Sequence, residues 1–302
     1  MNFIITGGAG FIGSHLAEYL SSKGHSVKII DNLCSGKLAN LAKVQDQIDF
    51  FKLDILNYDE IRKIIKDADG IFHQAALTSV HDSFLKPKEY EHVNVKGTEN
   101  ILRVAKEFKI KVVFASSASV YGNPKKIPIK EDSIRKPLNP YGKTKVKAEN
   151  LVFKYIKMGV SVLVLRYFNV YGIRQNPSYA GVITKFLANI KVKKPLVIHG
   201  DGQQVRDFVS IDDIVQANFL AMSSNIDHAI LNIGSGIPMS IDELANMIID
   251  VSGFKIKLLH DDAQKGDIRF SLADIRLAKE VLEWKPKTNL ESWLKSTIKS
   301  NT

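Results

Sequence analysis

Thr6-Gly7-Gly8-Ala9-Gly10-Phe11-Ile12-Gly13 joins two runs of opposite character. Residues 2–6 ahead of it carry no charge and read as a short buried strand. Residues 11–23 behind it put Phe11, Leu16, Ala17 and Leu20 on one side and read as an amphipathic helix. Gly7, Gly10 and Gly13 punctuate the turn between them. The first glycine permits a tight turn, the second lets a pyrophosphate approach the backbone, and the third lets helix pack close on strand. Phosphates would then meet the positive end of the helix, beside Phe11 and Ile12. A glycine triplet alone says little; the strand before it and the helix after it single it out as a dinucleotide turn.

A second strand, residues 26–31, ends in Asp31, 18 residues after Gly13, and Asn32 follows. An acid there accepts hydrogen bonds from the adenosine ribose and repels a 2′-phosphate, which points to NAD rather than NADP. A lone Asp at a strand end would ordinarily be only solvated, and the spacing is what gives Asp31 its meaning. Asp54-Ile55 follows a third strand, residues 48–53. Asp54 could cap the next helix or meet the adenine amino group, and the sequence leaves both open.

Strands and helices keep alternating: helix 57–66, strand 70–73, helix 90–108, strand 111–116, helix 141–158 and strand 160–166. That alternation predicts an α/β fold, a Rossmann-type doubly wound parallel sheet. After Gly172 the regularity fades. Residues 212–222 and 240–251 read as helices, and 206–211 and 229–233 read as strands that could return to the main sheet. We expect a Rossmann domain over residues 1–170, with 205–232 returning to it. Residues 171–204 and 233–302 would form a smaller C-terminal α/β lobe closing over the sheet's C-terminal edge, where ligands of open α/β sheets sit.

Composition narrows the class. The 302 residues suffice for a full core, and no apolar run approaches a membrane span. The chain opens directly on a strand rather than a signal peptide, so a cytoplasmic location and no membrane partner are expected. One cysteine, Cys34, excludes an internal disulfide, and the eight histidines lack ligand-like spacing, so no metal site is expected. The net charge of +10 is spread over most helices rather than gathered in one arm. That reads as a solvated surface that attracts an anionic nucleotide, not as a nucleic-acid site.

Ser116-Ser117-Ala118-Ser119 stands at the C-terminal end of an apolar strand, and Tyr141-Gly142-Lys143-Thr144-Lys145 opens a helix. Tyr141 and Lys145, four apart, share a helix face. A free tyrosine, with a pKa of about 10, is a poor base at neutral pH. A nearby ammonium and a cationic nicotinamide would both favour the phenolate, which could then take a hydroxyl proton while hydride leaves the same carbon. Ser117 would relay that proton, and Lys145 would also hold the nicotinamide ribose. Either element alone arises by chance; the glycine turn, serine and Tyr-x-x-x-Lys pair in this order do not.

With these residues in view, the chain resembles the extended short-chain dehydrogenases/reductases of the nucleotide-sugar epimerase/dehydratase group, UDP-hexose 4-epimerases above all. The resemblance runs through residues 6–13, Asp31-Asn32-Leu33, Asp54-Ile55, His73-Gln74-Ala75-Ala76, Asn94, residues 116–122 and Tyr141 to Lys145. It continues through Arg166-Tyr167-Phe168-Asn169-Val170-Tyr171-Gly172, Gly200-Asp201-Gly202-Gln203-Gln204-Val205-Arg206-Asp207-Phe208 and Asn232-Ile233-Gly234-Ser235-Gly236. It implies that Gln74, Ala75, Ala76, Asn94, Ser116 and Tyr167 join the glycine turn, Asp31, Asn32, Asp54 and Ile55 in holding NAD. It implies that Asn169 and Arg206 contact the substrate pyrophosphate, for which a planar cationic fork is suited. Val182 and Phe186 would flank the base, with helix packing an equal alternative. Ser79, Val80 and Ser119 would face the sugar. Relatives pair as homodimers through the helices matching 90–108 and 141–158; Val93, Ile101, Val104, Leu151 and Tyr155 could serve there or in the core.

Dehydratases of this group carry an Asp-Glu pair after the serine, and decarboxylases a glutamate, where this chain has Ala118 and Ser119. The resemblance therefore implies C4 oxidation, rotation of the keto-sugar and hydride return, that is, a UDP-sugar 4-epimerase acting on UDP-Glc/Gal or UDP-GlcNAc/GalNAc. Ser271 falls where some relatives have a bulky aromatic, so an N-acetyl group would fit. A UDP-glucuronate epimerase or a reductase is the alternative, and a non-catalytic NAD-binding protein is a remoter one. Gln264 stands where the family usually has a phosphate-contacting arginine; Lys265 or Arg269 could compensate.

Overall fold

In β1 (Asn2–Thr6), Phe3 and Ile5 turn to one face and Ile4 to the other, and all three are buried. The same two-sided burial recurs in the central strands, residues 70–73, 111–117 and 162–167, as expected where helices cover both faces. The structure, a computed structural model, describes residues 1–124, 126–176, 181–263 and 268–301, with the side chains of 300 and 301 excepted.

The strands are β1, β2 (Ser26–Asp31), β3 (Ile48–Lys52), β4 (Gly70–His73), β5 (Lys111–Ser117), β6 (Val162–Tyr167), β7 (Asn169–Tyr171), β8 (Leu196–His199), β9 (Val205–Ser210), β10 (His228–Ile233), β11 (Pro238–Ser240) and β12 (Leu258–Asp261). The helices are α1 (Phe11–Ser22), α2 (Tyr58–Ile65), α3 (Val80–Leu85), α4 (Pro87–Glu91), α5 (Thr98–Phe108), α6 (Pro140–Ile156), α7 (Val182–Lys191), α8 (Ile211–Ser223), α9 (Ile241–Ser252), α10 (Arg276–Leu282) and α11 (Leu290–Asn301). Seven strands form one parallel sheet in the order β10-β6-β5-β4-β1-β2-β3. This is the doubly wound arrangement, with the order reversing between β1 and β4. One core cluster joins Phe3, Ile5, Val113 and Leu165 to Leu16 and Leu20 of α1, Ile214 and Ala217 of α8, and Trp284. On the other face Ile4, Phe114 and Val164 meet Ile61 of α2, Ile101 and Val104 of α5, and Val152 of α6.

Ile101 and Val104 are therefore fully buried within the chain and present no face to a second copy. The helix expected over 90–108 is α4 and α5 joined by a π-helical turn, His92–Gly97. Of the two late strands expected to return to the main sheet, β10 does, beside β6. β9 does not: it pairs with β7 and β11 in a separate three-stranded sheet. The edge of β6 is taken by β10, whose ladder runs on to Phe168 N–H donating to Ile233 O at 3.0 Å, and past Phe168 the chain leaves the main sheet as β7. A further pair, β8 with β12, belongs to a third core cluster with α7, α9 and α11.

Candidate active site

The C-terminal ends of the main strands open into a cleft of about 740 Å³, closed on its other side by β7, β9, α7 and their loops. Gly7, Gly10, Phe11, Ile12 and Gly13 line one end. The backbone there is crowded: a Cβ on Gly13 would lie 2.3 Å from Gly7 O, and one on Gly7, at φ +72°, 2.7 Å from Ala75 N. No side chain caps α1 at Gly10, so its first N–H groups face the cleft. An uncapped helix start beside a side-chain-free turn is a phosphate cradle, and it fits a dinucleotide.

Asp31 ends β2 with both oxygens engaged, accepting from Ala9 N (2.9 Å) and Leu33 N (2.8 Å). Burial raises its pKa, and those two N–H donors oppose the rise. The carboxylate thus ties the glycine turn to the 32–33 turn while lining the cleft. Asn32 donates to Asp54 Oδ2 at 2.8 Å, and Asp54 Oδ1 accepts from Leu56 N at 2.9 Å. Asp54 does not cap α2, whose N-cap is Asn57; with Ile55 it lines the cleft. Gln74, Ala75 and Ala76 line the middle, with the Gln74 amide donating to Asn218 Oδ1 (3.0 Å) and Tyr167 Oη (3.2 Å).

Ser117, Ser119, Tyr141, Lys145 and Tyr167 gather beyond them. Asn139 caps α6 by accepting from Gly142 N at 2.8 Å, which aims the helix start, and Tyr141 with it, at the end of β5. Ser117 Oγ donates to Ser119 Oγ at 3.1 Å and hydrogen-bonds Tyr141. Lys145 Nζ donates to Ala115 O at 2.8 Å and lies 6.0 Å from the Tyr141 ring centroid. Burial pushes the Lys145 pKa down to about 8, opposed by the Glu149 charge. The Tyr141 phenol does not behave as its neighbours alone suggested. Burial raises its pKa, and only the Ser117 hydrogen bond pulls it back. The ammonium is turned toward the Ala115 carbonyl, 6.0 Å from the ring centroid, and does not offset the burial of the phenol.

Several expected contacts are engaged elsewhere. Ser116 lines the cleft, but its hydroxyl donates to buried Glu149 at 2.6 Å. Asn94, in the π turn, lies outside the cleft lining. It clamps the loop after β4 by accepting from Leu77 N (2.8 Å) and donating to Leu77 O and Thr144 Oγ1 (3.0 Å each). Ser79 caps α3, accepting from Asp82 N at 3.1 Å; Val80, next to it, does line the cleft. Ser271 is buried, donates its N–H to Val205 O at 3.0 Å, and lies outside the lining.

On the opposite wall Asn169, Val182, Phe186 and Arg206 line the cleft. Phe186 also packs in the core of α7, α9 and α11, so both readings of it hold geometrically. Arg206 donates to Val205 O (2.9 Å) and Ile268 O (2.5 Å). Its neighbour Asp207 is buried in a nest of donors: Ser235 N (2.5 Å), Ser235 Oγ (2.8 Å), Gly236 N (3.0 Å) and Ala273 N (3.0 Å). Gln264 and Lys265 lie outside the described residues, and Arg269 is paired with Asp201 at 2.6 Å. Cys34, Ser35, Gln175, Asn176, Lys185 and His199 also line the cleft and were not singled out from sequence. Lys185 had a signal, standing three residues after Val182 on one helix face; the loop residues had none. Among the described residues no cluster of histidine, cysteine and acid could hold a metal, and no helix is long and apolar enough to cross a membrane.

Comparison with known proteins places this geometry. The family described as "NAD dependent epimerase/dehydratase" matches residues 3–234. A UDP-N-acetylglucosamine 4-epimerase from Methanobrevibacter ruminantium, solved with UDP-N-acetylmuramic acid, superposes with a TM-score of 0.94 at 38% identity, over 99% of this chain and 97% of its own. A UDP-glucose 4-epimerase from Thermotoga maritima, solved with UDP-glucose, also gives 0.94, at 35% identity over 99% and 98%. A UDP-N-acetyl-alpha-D-glucosaminuronate decarboxylase from Bacillus cytotoxicus is 36% identical over 98% of this chain and 96% of its own length.

Proposed function

The chain belongs to the NAD dependent epimerase/dehydratase family, and from that premise we propose that it is a UDP-sugar 4-epimerase. The observation that carries this reading is where the acids are. Among the described residues, the carboxylates lining the cleft are Asp31 and Asp54. Both stand at the ends of β2 and β3, three and four strands from β5, or about 14–19 Å from Ser117 at the usual strand spacing. Beside Tyr141 stand Ala118 and Ser119, and Glu149 is sealed beneath the site by Ser116 and Arg166. Among the described residues, a 4-keto sugar held there meets no acid to drive elimination or assist decarboxylation.

The glycine turn and Asp31 would hold NAD, which would supply a hydride acceptor and donor. Tyr141 would take the proton of the sugar's 4-hydroxyl, and Ser117 would bridge the two oxygens. Lys145 holds positive charge beneath the phenol. Arg206 and Asn169 would keep the nucleotide diphosphate anchored while the keto-sugar turned its other face to Tyr141 and Ser117, so that the reaction would have no net redox change. Neutral hexose and N-acetylhexosamine are both candidates, and with Ser271 outside the cleft no residue here favours the latter.

The test is a product assay. Purified protein is incubated with UDP-glucose, UDP-GlcNAc and UDP-glucuronate, without and with added NAD, and followed by NMR. Conversion to the C4 epimer without net NADH is the expected result. A product lacking water or carbon dioxide, or a demand for stoichiometric NADH, would overturn it.

A further inference from the structure

The chain crosses from the main sheet to the opposite wall through residues 172–176, where Gly172 is closely packed and Arg174, Gln175 and Asn176 are each hydrogen-bonded, while Ile173 is exposed. Gly172 lies so close to Ile211 and Phe11 that a Cβ would come within 2.5 Å of the first and 3.3 Å of the second. Arg174 follows at φ +69°, a left-handed conformation unusual for a side chain of that size. It reaches back over α1, pairing with Glu18 at 2.5 Å and approaching Ser14 Oγ at 3.5 Å. The two partners are only 14% and 22% exposed. Gln175 donates to Val170 O at 3.0 Å and accepts from Thr184 of α7 at 2.5 Å. Asn176 donates to Ser35 O at 3.4 Å. Gly10, the N-cap of α1, and Ser14 and Glu18 within it follow at four-residue spacing, so the Arg174 anchorage continues the helix face on which the phosphate cradle opens. Gln175 and Asn176 line the same cleft as Gly10, Phe11, Ile12 and Ser35.

We infer that residues 173–176 are a strap over the NAD pyrophosphate, and that the Arg174–Glu18 pair is its fastening: two positioning residues that set how long the cofactor stays bound. The chemistry gives the strap its purpose. A hydride that must return to the same sugar needs a cofactor that does not leave between the two transfers. A largely shielded ion pair between a lobe-crossing segment and the NAD helix opposes that departure more than an exposed pair could.

The strap's purpose rests on the proposed epimerase reading, but the strap itself concerns NAD binding, so its test contains no sugar. NAD release from the holoenzyme is followed by chase with excess labelled NAD and gel filtration. Arg174→Ala and Glu18→Gln should each release NAD about tenfold faster, and the exchanged pair Arg174→Glu with Glu18→Arg should restore retention to within about threefold. Thr184→Val, which loosens the strap from α7 without touching the ion pair, should act in the same direction. Circular dichroism confirms that each variant is folded. Retention unchanged in folded Glu18→Gln overturns the inference, as does an exchanged pair as leaky as the single variants, because Arg174 would then act on phosphate directly. Failure of the epimerase assay would leave this result untouched.

Discussion

Replacing Glu149 by Gln is the sharpest test of how the site is supported. Glu149 is fully buried on α6, two turns after Tyr141 and one after Lys145. It accepts from Ser116 Oγ (2.6 Å), Arg166 Nε (2.8 Å), Arg166 Nη2 (2.8 Å) and Arg135 Nη1 (3.0 Å). Arg166 is 1% exposed and also donates to Tyr121 Oη (2.7 Å) and Glu131 O (2.8 Å). Burial works against the guanidinium's charge, but the Glu149 hydrogen bonds and charge outweigh it and hold its pKa above the ordinary value. Gln has the same shape but no charge, and its NH₂ must face donors. Breaking a buried pair from one side costs about 3–5 kcal/mol. Arg135, being partly exposed, can turn to water, so we expect about 3–4 kcal/mol in urea unfolding at fixed NAD concentration. The double variant Glu149→Leu with Arg166→Met should lose less than Glu149→Gln alone, since no charge is stranded. The loss should also reach the site. Glu149 supports the Lys145 ammonium, whose pKa is already pushed down to about 8 by burial. Without Glu149 the lysine loses its proton at lower pH, and the alkaline limb of kcat/KM moves down. A stability loss under ~1 kcal/mol, or an unmoved alkaline limb in folded enzyme, would refute this reasoning.

Tyr141→Phe should lower kcat by about 10²–10⁴-fold, the scale of a lost general acid–base, with NAD content unchanged by chromatography. His73, buried between Thr6 Oγ1 (2.7 Å) and Thr98 Oγ1 (2.9 Å), has its pKa lowered by burial to about 3 from 6.5. The unfolded chain therefore binds the extra proton first, and stability present above pH ~6.5 is lost as pH falls toward 3, by up to about 5 kcal/mol. His73→Asn should flatten the slope of unfolding free energy over that window by about one proton. Asp207→Asn turns an amide toward four donors that now face a carboxylate. We expect KM for the nucleotide sugar to rise about tenfold with NAD retention intact; equal loss of both would mean a general collapse of that wall instead.

Where local pattern carries the information, sequence alone sufficed. The strand–glycine–helix start, the alternation through β6, and the spacing of Ser117, Tyr141 and Lys145 depend on neighbours in the chain. Periodicity and turn chemistry report such relations directly, and these residues do line one cleft. Tertiary structure decided what depends on which polar atoms meet across long separations. Residues 206–211 and 229–233 read equally as strands, but only β10 found the free edge of β6. Asn94 and Ser79 carry side chains that could face a ligand, yet backbone groups opposite them took those hydrogen bonds first. Ile101 and Val104 read equally as core or interface, and the stacking of α5 on the sheet put them inside. The Glu149–Arg166 pair, 17 residues apart, left no mark in the pattern. A buried charge is recognisable only once its partner is beside it, because burial without that partner is what the fold must avoid.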